Sequence, residues 1–142
     1  MSIKLSLASL GSLRVDIGRP DYARGDLSAG ILHFGVGNFH RAHQAVYLDA
    51  LFNSGTDHDW ALVGAGVMPS DERMRAVLAA QDYLTTVVEQ SAATSAARVT
   101  GAMIDFLPAG DAAAIIAALA DPSIRIVSLT ITEGGYFIDP AT

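Results

Sequence analysis

Gly35 and Gly37 stand between an apolar run and a segment with two histidines and an arginine, in the sequence ILHFGVGNFHRAH (31–43). A glycine pair at this spacing lets the backbone of a turn, here including Val36, approach a phosphate group closely. The N–H groups that open a following helix would then bind the anion. These residues could therefore hold the pyrophosphate of a dinucleotide. The alternative is a tight bend between a strand and a helix, which uses glycines for its geometry alone.

The four residues after the turn carry the rest of this candidate site. Asn38, Phe39 and His40 would present their backbone N–H groups to the anion. His40 stands where the dinucleotide-binding fingerprint has its third glycine, so helix and strand cannot pack as closely there as in the standard motif. Arg41 either reaches the phosphate or is a solvated helix residue.

The fingerprint also needs an acid for the ribose hydroxyls, roughly 20 residues beyond the glycines. Asp57 fits that count, but it precedes a predicted strand, whereas ligands bind outside the carboxyl ends of strands. Asp71 follows that strand and lies at the correct edge. A carboxylate there would bind a ribose diol and repel a 2′-phosphate, which favours NAD over NADP. The alternative is that Asp71 only stabilises the start of its helix.

Three other features allow simpler interpretations. Gly64 and Gly66 form a second glycine pair at a strand end, but a Met-Pro step separates them from the next helix, so the first pair is the better phosphate turn. His40 and His43 share a helical face and have metal-binding spacing, yet the chain has no cysteine and offers no third ligand. We therefore expect no metal site. His33, inside an apolar run, is interpreted as a core histidine with satisfied hydrogen bonds.

The segments that must position these residues follow a regular order. After an irregular lead-in of residues 1–30, the pattern predicts the order β-α-β-α-β-β-α-β. The predicted strands cover 31–36, 60–67, 83–90, 98–107 and 124–132. They are continuously apolar, which indicates a sheet covered on both faces, and their alternation with helices indicates parallel strands. The predicted fold class is α/β, with a doubly wound, mostly parallel sheet of Rossmann type.

Three helices are predicted between these strands. The first follows Gly37, and its apolar residues at helical spacing predict a broad buried face formed by Phe39, Ala42, Val46 and Ala50, with Ala45, Leu48 and Phe52 beside them. The second has Ser70 as its predicted cap and the third has Asp111. The strands 83–90 and 98–107 could pair as a hairpin, although their connection is long for one.

Composition excludes several classes of partner. The 142 residues are 51% hydrophobic, enough for one packed domain. The net charge is −6 and the nine basic residues are scattered, so neither nucleic acid nor an anionic membrane is expected as a partner. No run reaches the roughly 18 apolar residues of a membrane span, and the amino terminus is a poor secretory signal. We expect a cytoplasmic protein.

Three segments resemble the amino-terminal Rossmann domain of the mannitol dehydrogenase family, the long-chain polyol and hexuronate dehydrogenases. They are GVGNFHRAHQAVYLDAL (35–51), AAQDYLTTVVEQ (79–90) and IRIVSLTITEGGY (124–136). The resemblance implies hydride transfer between NAD and a sugar alcohol or ketose, with a polyol or sugar acid as substrate.

The resemblance also implies roles for individual residues. It places the cofactor on Gly35, Gly37, Asn38 and Phe39, and the adenosine ribose on Asp71. Glu133 matches a family acid near the nicotinamide end, where a proton relay is implied; the alternative is an acid at a strand end that faces solvent.

Family members continue into a helical substrate domain that holds the catalytic lysine and the groups that polarise the substrate oxygen. The only lysine in this chain is Lys4, so no convincing catalytic residue is present. Residues 31–142 are accordingly expected to form a truncated, NAD-binding half that packs against a carboxyl-terminal substrate domain and is inactive alone. The alternative is a stand-alone, non-catalytic nucleotide-binding module or a degenerate fragment.

Overall fold

A computed structural model describes residues 3–131 of the chain. Short 3-10 turns occur at Leu7–Ser12, Arg24–Asp26 and His58–Trp60. The strands are β1 (Ala29–Phe34), β2 (Ala61–Ala65), β3 (Thr85–Gln90), β4 (Ser95–Thr100), β5 (Met103–Phe106) and β6 (Ile126–Leu129). The helices are α1 (Asn38–Ala42), α2 (Gln44–Asn53), α3 (Pro69–Ala79) and α4 (Ala112–Ala120).

Four strands form a parallel sheet in the order β5-β2-β1-β6. In the centre of the sheet, Leu32 of β1 pairs with Val63 of β2 on one side and with Val127 of β6 on the other. The chain therefore proceeds from β1 in one direction to β2 and β5, and β6 is added on the opposite side. This reversal creates a topological switch point between the carboxyl ends of β1 and β6. The doubly wound α/β prediction is confirmed.

The two central strands, β1 and β2, are buried on both faces, as their continuous apolar runs predicted, whereas β6 is largely exposed. Ile31 belongs to a core cluster that includes Phe52 of α2 and Leu78 of α3. Its neighbour Leu32 points to the other face, into a cluster packed against Ala118 of α4. Successive strand residues alternate between faces, so each apolar pair along β1 supplies both cores. Across residues 3–131, no helix is long and apolar enough to cross a membrane.

The predicted strand 98–107 is two strands separated at Gly101. β4 pairs antiparallel with β3 in a separate hairpin, whereas β5 joins the parallel sheet. The lead-in segment passes over this break, where Arg24 donates to the Gly101 carbonyl at 2.9 Å and to the Asp82 carbonyl at 2.8 Å. A Cβ on Gly101 would lie 2.9 Å from the Arg24 side chain. The hairpin prediction is confirmed, with a turn shorter than expected because β4 begins at Ser95.

The predicted first helix breaks at His43, whose backbone (φ −125°, ψ −80°) is not helical. The centre of the buried face expected there is wrong, because Phe39, Ala42 and Ala50 are exposed. Ala45 and Phe52, predicted beside it, are buried, and the third buried residue of α2 is Asp49. A carboxylate therefore occupies the centre of the face that packs on the protein.

Asp49 is buried by a hydrogen-bond network that residue spacing does not reveal. Its side chain is 3% exposed. One oxygen accepts from the Tyr22 hydroxyl at 2.6 Å and from the Gly101 amide at 2.8 Å. Burial and this hydrogen bond raise the pKa of the Tyr22 phenol. Buried carboxylates need such partners, and here the partners come from the lead-in and from the β4–β5 break.

Candidate functional site

The glycine turn directly follows β1 at the carboxyl edge of the sheet. Gly35 has a φ of +85°, in the left-handed region that favours glycine. The Gly37 amide donates to the Gly35 carbonyl at 2.7 Å, which closes a tight turn, and the Arg41 amide donates to the Gly37 carbonyl at 3.2 Å. Among the described residues, a Cβ on Gly37 would meet nothing nearer than the Gly35 carbonyl oxygen at 3.9 Å. The space in front of Gly37 is therefore open.

The residues at and after the turn differ in whether their side chains are exposed or only their backbone groups border the turn. Val36 is 5% exposed and its side chain belongs to the core, so only its backbone borders the turn. Asn38 and Phe39 are exposed. Within residues 3–131, the backbone amides of 38–40 make no hydrogen bond to the protein. They are the unpaired donors expected at a helix start.

Arg41 lies against the turn rather than in open solvent. Its Nε donates to the Gly37 carbonyl at 3.2 Å, and its Nη2 donates to the Asn38 side-chain oxygen at 2.6 Å. The guanidinium is thereby held beside the turn, and its remaining N–H groups, which have no partner within residues 3–131, can donate to an anion.

Asp71 stabilises the start of its own helix through one carboxylate oxygen and leaves the other oxygen without a partner among the described residues. Its Oδ2 accepts from the Met68 amide at 2.9 Å. Met68 is the residue before the helix and Pro69 is its first position, so the prediction that Ser70 caps α3 is wrong. The reason is that the fixed φ of a proline suits the first helical position. Within the described range, Asp71 Oδ1 accepts no hydrogen bond from the protein, so one carboxylate oxygen is available to a ligand.

A cleft of about 320 Å³ connects the glycine turn with Asp71. It lies at the carboxyl edge of the sheet and is lined by Gly35, Val36, Gly37, Ser70, Asp71, Met74 and Thr130. The structure thus brings together the two elements that the fingerprint requires. Phe39, His40 and Arg41 do not line this cleft, and Asn38 and Arg41 border a neighbouring groove against β3.

The second glycine pair serves packing. A Cβ on Gly64, within β2, would lie 2.7 Å from the Phe106 ring and 3.0 Å from the Val36 side chain. A Cβ on Gly66 would overlap the Asp71 side chain. These glycines allow β2 to approach its neighbours and hold Asp71 close to the strand end.

The opposite edge of the sheet holds the acids that strand direction excluded. Asp57 precedes the 3-10 turn before β2. Asp59 pairs with Arg125 at 2.9 Å, next to the start of β6. Both lie away from the cleft, so counting residues from the glycines would select a carboxylate at the opposite edge of the sheet.

Two histidine rings stack beneath the turn. His33 is 3% exposed and His40 is 1% exposed, with ring centroids 3.7 Å apart and planes 12° from parallel. The ring nitrogens of His33 lie near Ser128 Oγ (2.8 Å) and Thr130 Oγ1 (3.1 Å), so the core histidine prediction is confirmed. Neither ring nitrogen of His40 has a hydrogen-bond partner among the described residues.

The predicted association of His40 with His43 on one face is wrong. His40 is buried, whereas His43 lies exposed at the break between α1 and α2. No group of three potential metal ligands occurs within residues 3–131. Glu133, the acid implied by the resemblance, lies outside the described residues.

The profile of the mannitol dehydrogenase Rossmann domain matches residues 29–141. The chain belongs to the mannitol dehydrogenase family. A mannitol 2-dehydrogenase of Cereibacter sphaeroides is 63% identical over 85% of this chain and 26% of its own length. One from Pyricularia oryzae is 49% identical over 100% of this chain and 29% of its own length.

Two solved structures share this domain of the mannitol dehydrogenase family. A ternary complex of Pseudomonas fluorescens mannitol 2-dehydrogenase with NAD and D-mannitol superposes with a TM-score of 0.90 at 49% identity. A substrate-free D-sorbitol dehydrogenase superposes with a TM-score of 0.83 at 40% identity. Each comparison covers 96% of this chain and 28% of the other. The chain therefore spans less than a third of the length of these relatives.

The buried His40 makes the stability of this mannitol dehydrogenase domain depend on pH. Burial, the His33 ring and the Arg41 charge lower the pKa of His40 to about 3. Between about pH 6.5 and pH 3 the unfolded chain binds a proton that the folded chain does not, so the free energy of unfolding falls as the pH falls. We expect His40 alone to lower it by ~2 kcal/mol from pH 7 to pH 5. Urea unfolding followed by circular dichroism at the two pH values measures this difference. His40→Phe should reduce the drop, and an unchanged drop would contradict the assignment.

Proposed function

We propose that this chain is the NAD-binding domain of an oxidoreductase that transfers a hydride between NAD and a sugar alcohol or ketose. The observation that carries the proposal is the cleft that joins the Gly35–Gly37 turn to Asp71 at the switch-point edge of the sheet. Family membership and the NAD and D-mannitol bound to the Pseudomonas fluorescens relative support the same function.

The residues present fit a dinucleotide. The backbone of residues 35–37 leaves open space for the pyrophosphate. A Cβ built on Gly37 would meet no atom of the described residues nearer than the Gly35 carbonyl oxygen at 3.9 Å. The unpaired amides of Asn38, Phe39 and His40 supply donors, and Arg41 supplies a positive charge beside them. Asp71 holds the adenosine ribose through its available oxygen. When bound, NAD supplies the hydride acceptor, and these residues bind and orient it.

We expect Asp71 to set the preference for NAD over NADP. Its carboxylate accepts hydrogen bonds from a ribose diol and repels a 2′-phosphate. Asp71→Ala should therefore lower the ratio of the affinity for NADH to the affinity for NADPH. A charged hydrogen bond of this kind contributes about 1–3 kcal/mol, which corresponds to a change of roughly 5- to 150-fold in the ratio. Fluorescence titration with NADH and NADPH measures it.

Two further variants separate this role from helix stabilisation. Asp71→Asn keeps an oxygen that can accept from the Met68 amide but removes the charge, so it too should lower the ratio. Asp111→Ala removes another helix-start acid, which accepts from the Ala114 amide at 3.0 Å beyond β5. It should lower stability without changing the ratio. If the ratio stays at the wild-type value in both Asp71 variants, Asp71 is only a helix-start residue.

In this proposal, the part of the relatives that this chain does not cover corresponds to the substrate domain. Apolar side chains are exposed on β6 and α4, among them Val127, Leu129 and Ile116. A polypeptide that continues the fold would bury them, because exposed apolar patches of this kind mark interaction surfaces. The substrate class is a polyol or sugar acid.

In this proposal, residues 31–142 form the cofactor domain. The lead-in segment before them is bound to that domain by hydrogen bonds from Tyr22 to Asp49 and from Arg24 to the Gly101 carbonyl. Glu133 relays a proton near the nicotinamide end. The protein is cytoplasmic, which fractionation of the source cells would test.

A further inference from the structure

We propose that His33 is a positioning residue for the dinucleotide-binding turn, because its ring connects the Gly35 carbonyl to the end of β6 at the switch point. The inference rests on the proposed NAD site and adds to it a residue that neither lines the cleft nor belongs to the glycine motif.

The hydrogen bonds of the ring define its tautomer. Nε2 lies 3.3 Å from the Gly35 carbonyl oxygen and 3.1 Å from Thr130 Oγ1. A carbonyl oxygen can only accept, so in our proposal the hydrogen is on Nε2, the tautomer that lets His33 donate to Gly35. Nδ1 is then the acceptor, and the Ser128 hydroxyl donates to it at 2.8 Å. The ring is neutral in this arrangement, which agrees with the lowering of the His33 pKa by burial.

These contacts act on both sides of the switch point. The Gly35 carbonyl that faces His33 also accepts from the Gly37 amide at 2.7 Å, so His33 supports the hydrogen bond that closes the turn. Thr130 lines the cleft, and its amide donates to the Phe34 carbonyl at 3.0 Å. The His33 ring therefore sets the position of the turn relative to the end of β6, where a bound dinucleotide must pass.

The neighbouring ring shows which property of His33 matters. His40 is equally buried and stacks on His33, but its nitrogens have no partner among the described residues. Its side chain contributes by packing, and the stack holds the plane of the His33 ring. Hydrogen bonding is the property that distinguishes His33, so a substitution that keeps its volume but removes its nitrogens isolates that property.

The test compares three variants of the 142-residue chain. His33→Phe keeps an aromatic ring against His40 and removes the Nε2–H donor. His33→Gln keeps an N–H donor at a similar reach and removes the ring. His58→Phe is the matched control, because the His58 Nε2 also lies near a backbone carbonyl, that of Phe52 at 3.1 Å, but at the opposite edge of the sheet. NADH titration, thermal unfolding and imidazole ¹⁵N spectra are measured for each.

We expect His33→Phe to weaken NADH binding about tenfold, the loss typical of one or two hydrogen bonds. His33→Gln should recover part of that affinity, although it packs less well, and His58→Phe should bind NADH as the wild type does. The wild-type ¹⁵N spectrum should show His33 protonated at Nε2 alone. A merely structural residue would not give recovery by glutamine together with this spectrum.

Several results would overturn the inference and leave the proposed function intact. They are wild-type NADH affinity in His33→Phe, no recovery in His33→Gln, or a His33 signal protonated at Nδ1. If His33→Phe does not fold, the glutamine variant and the spectrum decide. If the wild-type chain itself does not bind NADH, the proposed function fails, and this inference fails with it.

Discussion

Replacing Gly37 by valine is expected to lower the affinity of the chain for NADH by at least about 100-fold without disturbing the fold. Within residues 3–131, a Cβ at this position meets no atom nearer than 3.9 Å, and the φ of −99° is allowed for any residue. The branched side chain therefore enters the open space in front of the turn, which in our proposal belongs to the pyrophosphate. Steric exclusion of the ligand is the only large consequence that the structure predicts.

The measurement is NADH titration of the folded variant, with circular dichroism to verify the fold. Gly11→Val is the matched control, since a Cβ built on Gly11 has no atom of the described residues within 4 Å and Gly11 lies in the lead-in segment. It should bind NADH as the wild type does. Equal affinities in the two valine variants would show that the turn after β1 does not hold the cofactor.

The 142-residue chain alone is expected to bind NADH but to give no measurable oxidation of polyols. An alcohol must lose a proton as the hydride leaves, and general acid–base help of this kind contributes roughly 10²–10⁴-fold. Positioning of the alcohol by a substrate domain contributes at least as much. Lys4 is the only lysine of the chain and precedes the whole fold. Loss of both contributions should place turnover below detection.

Because Glu133 only relays a proton in our proposal, the histidines are the remaining candidates for the base itself. His40 is buried and its pKa is lowered to about 3, so it is a poor base at neutral pH. His43 is exposed at the break between the first two helices, outside the cleft. Formation of NADH is followed with mannitol, sorbitol, arabinitol and sugar acids, beside NADH binding by the same preparation. Turnover that His43→Ala abolishes would contradict this expectation and make the short chain a complete enzyme.

Binding without turnover fits both a cofactor domain and a stand-alone nucleotide-binding module. The DNA downstream of the Thr142 codon distinguishes them. An in-frame, helix-rich continuation that contains a lysine at helical spacing would support the dehydrogenase. A stop codon there would support the module.

The sequence by itself determined the alternation of strands and helices and the fold class, although the predicted strand 98–107 and the predicted first helix are each divided in two. Apolar runs of strand length and the glycines that end them are local properties of the sequence. The segments 31–36 and 60–67 accordingly form strands close to the predicted bounds. It also selected Asp71 over Asp57, because the direction of a parallel strand decides which end meets the ligand edge. Both arguments need only residues that are neighbours in the chain.

Only the tertiary structure decided which side chains are buried around the turn. The stack of His33 on His40 depends on how α1 packs beneath the switch point, and two of the three partners of the His33 ring, Ser128 and Thr130, lie in or just after β6, almost 100 positions later. Asp49 is buried because Tyr22 and Gly101 reach it from distant segments. Periodicity treats a buried carboxylate or imidazole as a polar surface residue, since burial of a polar group depends on partners that local sequence does not contain.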